Sequence, residues 1–157
     1  MKISTKGRYG LRAVLDLAIH DDKTEPVSLT EIAERQDISV NYLEQLMGKL
    51  KKADIVVGVR GAQGGYHMAK PADEISVGDI LRALEGDLNP VECSEIMENG
   101  SSCTGADRCI TKFVWKKIQD AINSAVDHLM LSELVDEGKE LLNDNTLTAD
   151  TLIREKC

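Results

Sequence analysis

Three of the four cysteines in this 157-residue chain, Cys93, Cys103 and Cys109, share one polar segment, C-S-E-I-M-E-N-G-S-S-C-T-G-A-D-R-C. Nine residues separate the first pair and five the second, with Gly100, Ser101, Ser102 and Gly105 between them. Structural cysteine is normally dispersed among apolar residues. Thiols gathered where the backbone is small and pliant suit a soft metal or an iron–sulfur centre, both of which take thiolate ligands. Three clustered thiols cannot all pair with one another as disulfides. Zinc also accepts three thiolates and a fourth ligand, but structural zinc sites favour cysteines two to four residues apart, and this segment has none so close. A catalytic thiol needs a histidine beside it, and no histidine lies in the segment.

The net charge of −8 argues against nucleic acid until its distribution is considered. Residues 1–70 carry 11 Lys and Arg against 9 Asp and Glu, whereas residues 71–157 carry 8 against 18. A local basic face, not the overall charge, is what meets phosphate. Aromatic residues make up only 3% of the chain, so the core is expected to be aliphatic. No apolar run approaches the roughly 20 residues a membrane span needs. The opening M-K-I-S-T-K-G-R-Y-G has no apolar stretch behind its basic residues. A cytoplasmic chain with no membrane partner and no small-molecule substrate is expected, a setting in which clustered cysteines point to metal sooner than to disulfides.

The elements that must position these residues are mostly helical. Leu11, Val14, Leu15, Ala18 and Ile19 recur at helical spacing, predicting a helix over about 4–20, with Lys6, Arg8 and Arg12 on its early turns. Ser28 with Glu31 forms a capping box that opens a short helix burying Leu29, Ile32 and Ala33. After Asp37-Ile38-Ser39, Ser39 caps a second helix whose Leu43, Leu46, Met47 and Leu50 make an apolar stripe. Two short helices joined by about three residues have the helix-turn-helix layout. Ile55–Arg60 and Tyr66–Ala69 read as strands around Gly61-Ala62-Gln63-Gly64-Gly65, a glycine-rich wing that permits close backbone approach to a phosphate or a narrow groove. Nucleotide binding by these glycines is weakly indicated, since no helix follows them. Ser76 caps a helix ended by Gly86. Beyond the cysteines, Val114, Ile118, Ala121, Ile122, Ala125, Val126 and Leu129 mark a long helix whose stripe nothing later in the chain is large enough to cover, and Leu131 opens a further short helix. The expected architecture is mainly α with a small β-hairpin wing. It comprises a winged helix-turn-helix domain over 1–86, a cysteine-containing loop over 87–112, a dimerisation helix and short following helix over 113–144, and a flexible tail over 145–157.

K-I-S-T-K-G-R-Y-G-L, S-V-N-Y-L-E-Q-L and V-R-G-A-Q-G-G-Y together resemble the bacterial transcription-regulator family that includes iron–sulfur cluster assembly regulators of the IscR type, nitric-oxide-sensing repressors of the NsrR type and cysteine-metabolism repressors of the CymR type. The likeness covers roughly residues 1–135 and is highest to the IscR type, because the CymR type lacks the three cysteines. It implies a winged-helix homodimer that binds an operator in double-stranded DNA, each subunit's long helix crossing its partner. It also implies a 2Fe–2S cluster held by Cys93, Cys103 and Cys109, with a histidine three residues after the last cysteine. That position here is Lys112, which has no acceptor lone pair, and the first cysteine spacing is nine residues instead of five. Asp107, Glu92, Glu95, Cys157, a water or the partner's His128 remain as the fourth ligand; Arg8, where the NsrR type supplies an acidic ligand, cannot serve. Ser39, Asn41, Tyr42, Glu44 and Gln45 then fall at the base-reading end of the recognition helix, with Glu44 matching a glutamate that tunes site choice. Arg60, Gly61, Gly64 and Gly65 fall on the wing, and Lys6, Arg8, Lys49 and Lys52 are the candidate phosphate contacts. The implied role is a repressor of iron–sulfur cluster biogenesis genes; nitric-oxide or redox sensing, or a structural zinc site in the same fold, are the alternatives.

Overall fold

The computed structural model describes residues 3–91 and 109–143. Cys93, Cys103 and Cys157, the candidate ligands Glu92, Glu95 and Asp107, and the tail expected over 145–157 lie outside the described residues.

The chain is mainly helical with one antiparallel hairpin, as its patterning predicts. Helix α1 (Thr5–His20) begins where the Ser4 hydroxyl accepts from the Lys6 N–H at 3.1 Å, and buries Gly7, Gly10, Ala13, Val14 and Leu17. The Ser28–Glu31 capping box opens α2 (Leu29–Gln36), which Asp37 ends in the left-handed region at φ 52°. Ser39 then caps α3 (Val40–Lys52) by accepting from the Tyr42 N–H. Each such cap satisfies helix-end amides that would otherwise stay unpaired, contributing about 1 kcal/mol. Strands β1 (Val56–Val59) and β2 (Gly65–Met68) pair from Val56↔Met68 to Val59↔Gly65. A 3-10 turn over Ala72–Glu74 leads to α4 (Val77–Glu85), where Ser76 and Asp79 form a second capping box.

Two further helices follow, α5 (Lys112–Asp127) and α6 (Leu131–Asn143). Helix α6, 13 residues long, lies within the span in which the short following helix is expected, and it packs into the core. Leu131 and Val135 enter the core that holds Leu17, Ile32, Leu43, Leu46, Met47, Leu50, Ile80 and Leu84. Backbone bonds from the Leu131 N–H to the Ile75 carbonyl and from the Val77 N–H to the Leu129 carbonyl fix its entry. Burying one such leucine removes apolar area equivalent to about 2 kcal/mol.

Helix α5 has no buried residue. Its predicted stripe divides in two. Ile122 and Val126 rest on Val77, Leu81 and Leu88, while Val114 and Ile118 stay exposed, as does Phe113 beside the stripe, at 64%.

Candidate functional site

Asn41, Glu44 and Gln45 share the exposed side of the first turns of α3, opposite Leu43, Leu46 and Met47 in the core. Tyr42 points elsewhere. It is half-buried, stands edge-on to Tyr9 at 6.1 Å and donates its hydroxyl proton to Thr5 Oγ1 at 3.4 Å, so it joins α3 to the start of α1. Ser39 is spent on its cap. Lys6, Arg8 and Lys52 are exposed. Lys49 is exposed as well, and one of its three N–H donors is given to the Leu84 carbonyl at 2.9 Å.

On the wing, Arg60 and Gly61 are exposed, and Gly61 has φ 127°, a conformation closed to most side chains. Gly64 and Gly65 are glycines for reasons internal to the chain. A Cβ on Gly64 would strike the Val59 carbonyl, and one on Gly65 would strike the Val27 carbonyl oxygen and lie 2.7 Å from its carbon. Val27 and Tyr66 exchange two backbone bonds of 3.0 and 2.9 Å, so the wing lies flush against the chain entering α2. Burial and then the Glu44 carboxylate push the Tyr66 hydroxyl above its ordinary pKa.

Three carboxylates that local spacing does not single out hold this face together. Asp16, fully buried, accepts a forked pair from Arg35, with Nη2 at 2.6 Å, and a bond from Gln36 Nε2 at 2.7 Å. Arg12 extends the network by donating to the Gln36 side chain and carbonyl while lying over the Tyr9 ring. Asp21 accepts from His67 Nδ1, Lys23 Nζ and the Met68 N–H, at 2.7, 2.6 and 2.7 Å. His67 is thus satisfied within the fold. Glu85 accepts at one oxygen from the Ser4 N–H, the Ser4 hydroxyl and the Gly7 N–H, at 2.9, 2.7 and 2.8 Å.

Of the cysteines, Cys109 is described. It is half-buried and precedes α5, with Sγ 3.2 Å from Thr111 Oγ1. The Thr111 hydroxyl, then the Lys112 N–H, lower its thiol pKa against a small desolvation penalty. Anions are favoured at such a helix start, and a thiolate is the ligand form. Lys112 sits at the first turn of α5 with its ammonium 5.8 Å from the centre of the Phe113 ring. His128 caps the far end of the 16-residue helix, about 24 Å away at 1.5 Å per residue, and its Nδ1 donates to the Ser124 carbonyl at 2.7 Å. No group of three or more metal-ligating side chains occurs among the described residues.

A helix-turn-helix followed by a two-stranded wing, with polar and basic side chains exposed along both, defines a winged-helix DNA-binding regulator. The chain belongs to the Rrf2 family, described as iron-dependent transcriptional regulators, which matches residues 3–137. It is 40% identical to the HTH-type transcriptional regulator IscR of Pectobacterium atrosepticum over 162 aligned residues, covering 99% of this chain and 95% of that one. It is 39% identical to IscR of Vibrio atlanticus, covering 90% and 79%. Among solved structures it resembles T. potens IscR (TM-score 0.69, 42% identity, 90% of each chain) and CymR, the global cysteine regulator of B. subtilis (TM-score 0.69, 39% identity, 87% and 98%). These relatives are regulators, not enzymes, and so is this chain. The equal TM-scores show that the fold alone does not separate the two types. No helix among the described residues is long and apolar enough to cross a membrane.

Proposed function

We propose that this chain is a homodimeric repressor of iron–sulfur cluster biogenesis genes, answering to a 2Fe–2S cluster held by Cys93, Cys103 and Cys109. Cys109 carries the reading: a half-buried thiol at the start of α5, biased toward the thiolate by Thr111 and the Lys112 N–H. With Cys93 and Cys103 on the same segment it makes a soft, anionic donor set that fits iron–sulfur chemistry. Lys112 cannot ligate, so the fourth ligand comes from elsewhere. When bound, the cluster supplies a centre sensitive to oxidation, nitric oxide and iron supply.

The chain's own residues do the reading. Helix α3 enters the major groove with Asn41, Glu44 and Gln45 at base edges, Glu44 suited to accept from a cytosine amino group. Arg60 and Gly61 approach the minor groove or backbone, and Lys6, Arg8 and Lys52 meet phosphates. The exposed Phe113, Val114 and Ile118 face of α5 meets the same face of a second copy, placing two half-sites about one helical turn apart. The test is an anaerobic visible spectrum with iron, sulfide and zinc analysis of protein reconstituted with iron and sulfide. Absorption lost in Cys93→Ala, Cys103→Ala and Cys109→Ala supports the reading; a colourless protein holding zinc or no metal refutes it.

A further inference from the structure

Several glycines of the body have a reason inside the chain. A Cβ on Gly10 would strike Leu84, and one on Gly78 would come within 2.8 Å of Arg82 Nη1. Gly61 and Gly86 take φ of 127° and 86°. Gly48 has no such reason. It is the ninth residue of α3, its φ is not positive, and a Cβ there would meet nothing beyond its own stretch of helix within 4 Å. Glycine is the poorest residue for a helix interior after proline, because it has the most backbone freedom to lose. Alanine would fit this position and strengthen the helix. The missing side chain therefore weakens the fold without relieving any contact among the described residues.

The place of Gly48 on the helix gives the absence a purpose. Leu43, Leu46, Met47 and Leu50 turn one side of α3 to the core. At 3.6 residues per turn the opposite side is centred on Asn41, Gly48 and Lys52, with Glu44 and Gln45 to either hand, and all five are exposed. Gly48 lies four residues beyond Glu44, about 6 Å along the axis, and four before Lys52. In the function proposed above, Glu44 meets a base and Lys52 a phosphate, so the line from base edge to backbone runs across Gly48. A major groove about 12 Å wide admits a helix whose diameter with side chains is about 10 to 12 Å. That fit leaves little to spare, and side-chain size at the middle of the face decides how far the helix axis enters.

We propose that Gly48 is a specificity-determining residue: the sugar–phosphate wall of the major groove passes α3 at its bare Cα, which sets the depth at which Asn41, Glu44 and Gln45 meet the bases. The proposal rests on the reading of α3 as the recognition helix. A side chain at this position holds the helix away from the groove floor and lengthens base contacts that need about 3 Å. Lys6, Arg8 and Lys52 are longer and flexible, and still reach phosphates. The loss thus falls on sequence-specific affinity and spares the general attraction to DNA.

The probe is a duplex enriched from a random-sequence pool by the wild-type chain, with a scrambled duplex of equal length beside it. Gly48→Ala should raise the melting temperature by about 2 to 4 °C and yet weaken binding to the enriched duplex. Gly48→Gln, with its longer side chain, should weaken that binding further, by about ten-fold or more. Both variants should keep the wild-type affinity for the scrambled duplex and the wild-type salt slope, since no cation is removed. A Gly48→Ala protein that melts no higher than wild type overturns the proposal, because the glycine then serves the fold. An equal loss on both duplexes overturns it too. If Gly48→Gln binds the enriched duplex as tightly as wild type while Gln45→Ala binds it more weakly, the proposal falls and the recognition-helix reading stands. If Gln45→Ala also binds as wild type does, or the wild type enriches no duplex, that reading falls and takes the proposal with it.

Discussion

The Asp21 side chain is 1% exposed and ties the end of α1 to the wing strand through His67 and the Met68 N–H. Desolvation pushes its carboxyl up, but hydrogen bonds from Lys23, His67 and Met68 outweigh this and hold its pKa at about 2, against 3.8 ordinarily. The folded form therefore binds fewer protons than the unfolded chain. Its contribution, about 2 kcal/mol, is complete above about pH 4 and is lost as the pH falls through about 2. Urea unfolding followed from neutral to acid pH should show this loss, and Asp21→Asn should lower stability at neutral pH by a similar amount while flattening the acid limb. An Asn variant as stable as wild type would mean that the wing anchor is carried by other groups. Nothing in the sequence around Asp21 reveals this role, because its partner His67 is 46 residues away.

Helix starts were legible because caps are local: Ser28 with Glu31, Ser39 before Tyr42 and Ser76 before Asp79 lie within one turn of the groups they satisfy. The apolar stripes of α2, α3 and α4 were legible for the same reason. Contacts between elements were not. The Asp16–Arg35 pair spans 19 residues and the Glu85–Ser4 pair 81, and no period in the sequence encodes either. The wing glycines were recognisable as glycines, but only the fold shows that Gly64 and Gly65 make room for the protein's own carbonyls, while Gly61 supplies a turn. The same distinction separates the lysines. Lys52→Ala should lower the slope of log affinity against log salt by about 1, as loss of one phosphate contact does. Lys49→Ala should leave that slope unchanged and lower the melting temperature, because its ammonium is engaged with Leu84. Fluorescence anisotropy across a salt series measures the first effect and calorimetry the second; equal slopes for Lys52→Ala and wild type would remove Lys52 from the phosphate contacts.

At the scale of the molecule, α5 is a helix that the other described residues leave partly uncovered. Its 16 residues include none that are buried, and Phe113, Val114 and Ile118 form a continuous apolar face at its N-terminal half. A second copy is the expected cover. Phe113→Asp combined with Ile118→Asp should shift the mass measured by sedimentation from dimer to monomer, with α1–α4 still folded by circular dichroism. A double variant that stays dimeric at micromolar concentration would place the interface elsewhere.

Helix α6 comes last in the chain, yet Leu131 is one of the innermost side chains of the body that α1 to α4 begin. A ribosome delivers residues in order, so Cys93, Cys103 and Cys109 are all synthesised before the leucine that closes the core. The DNA-binding body therefore gains its final wall only after every thiol of that segment is in the chain.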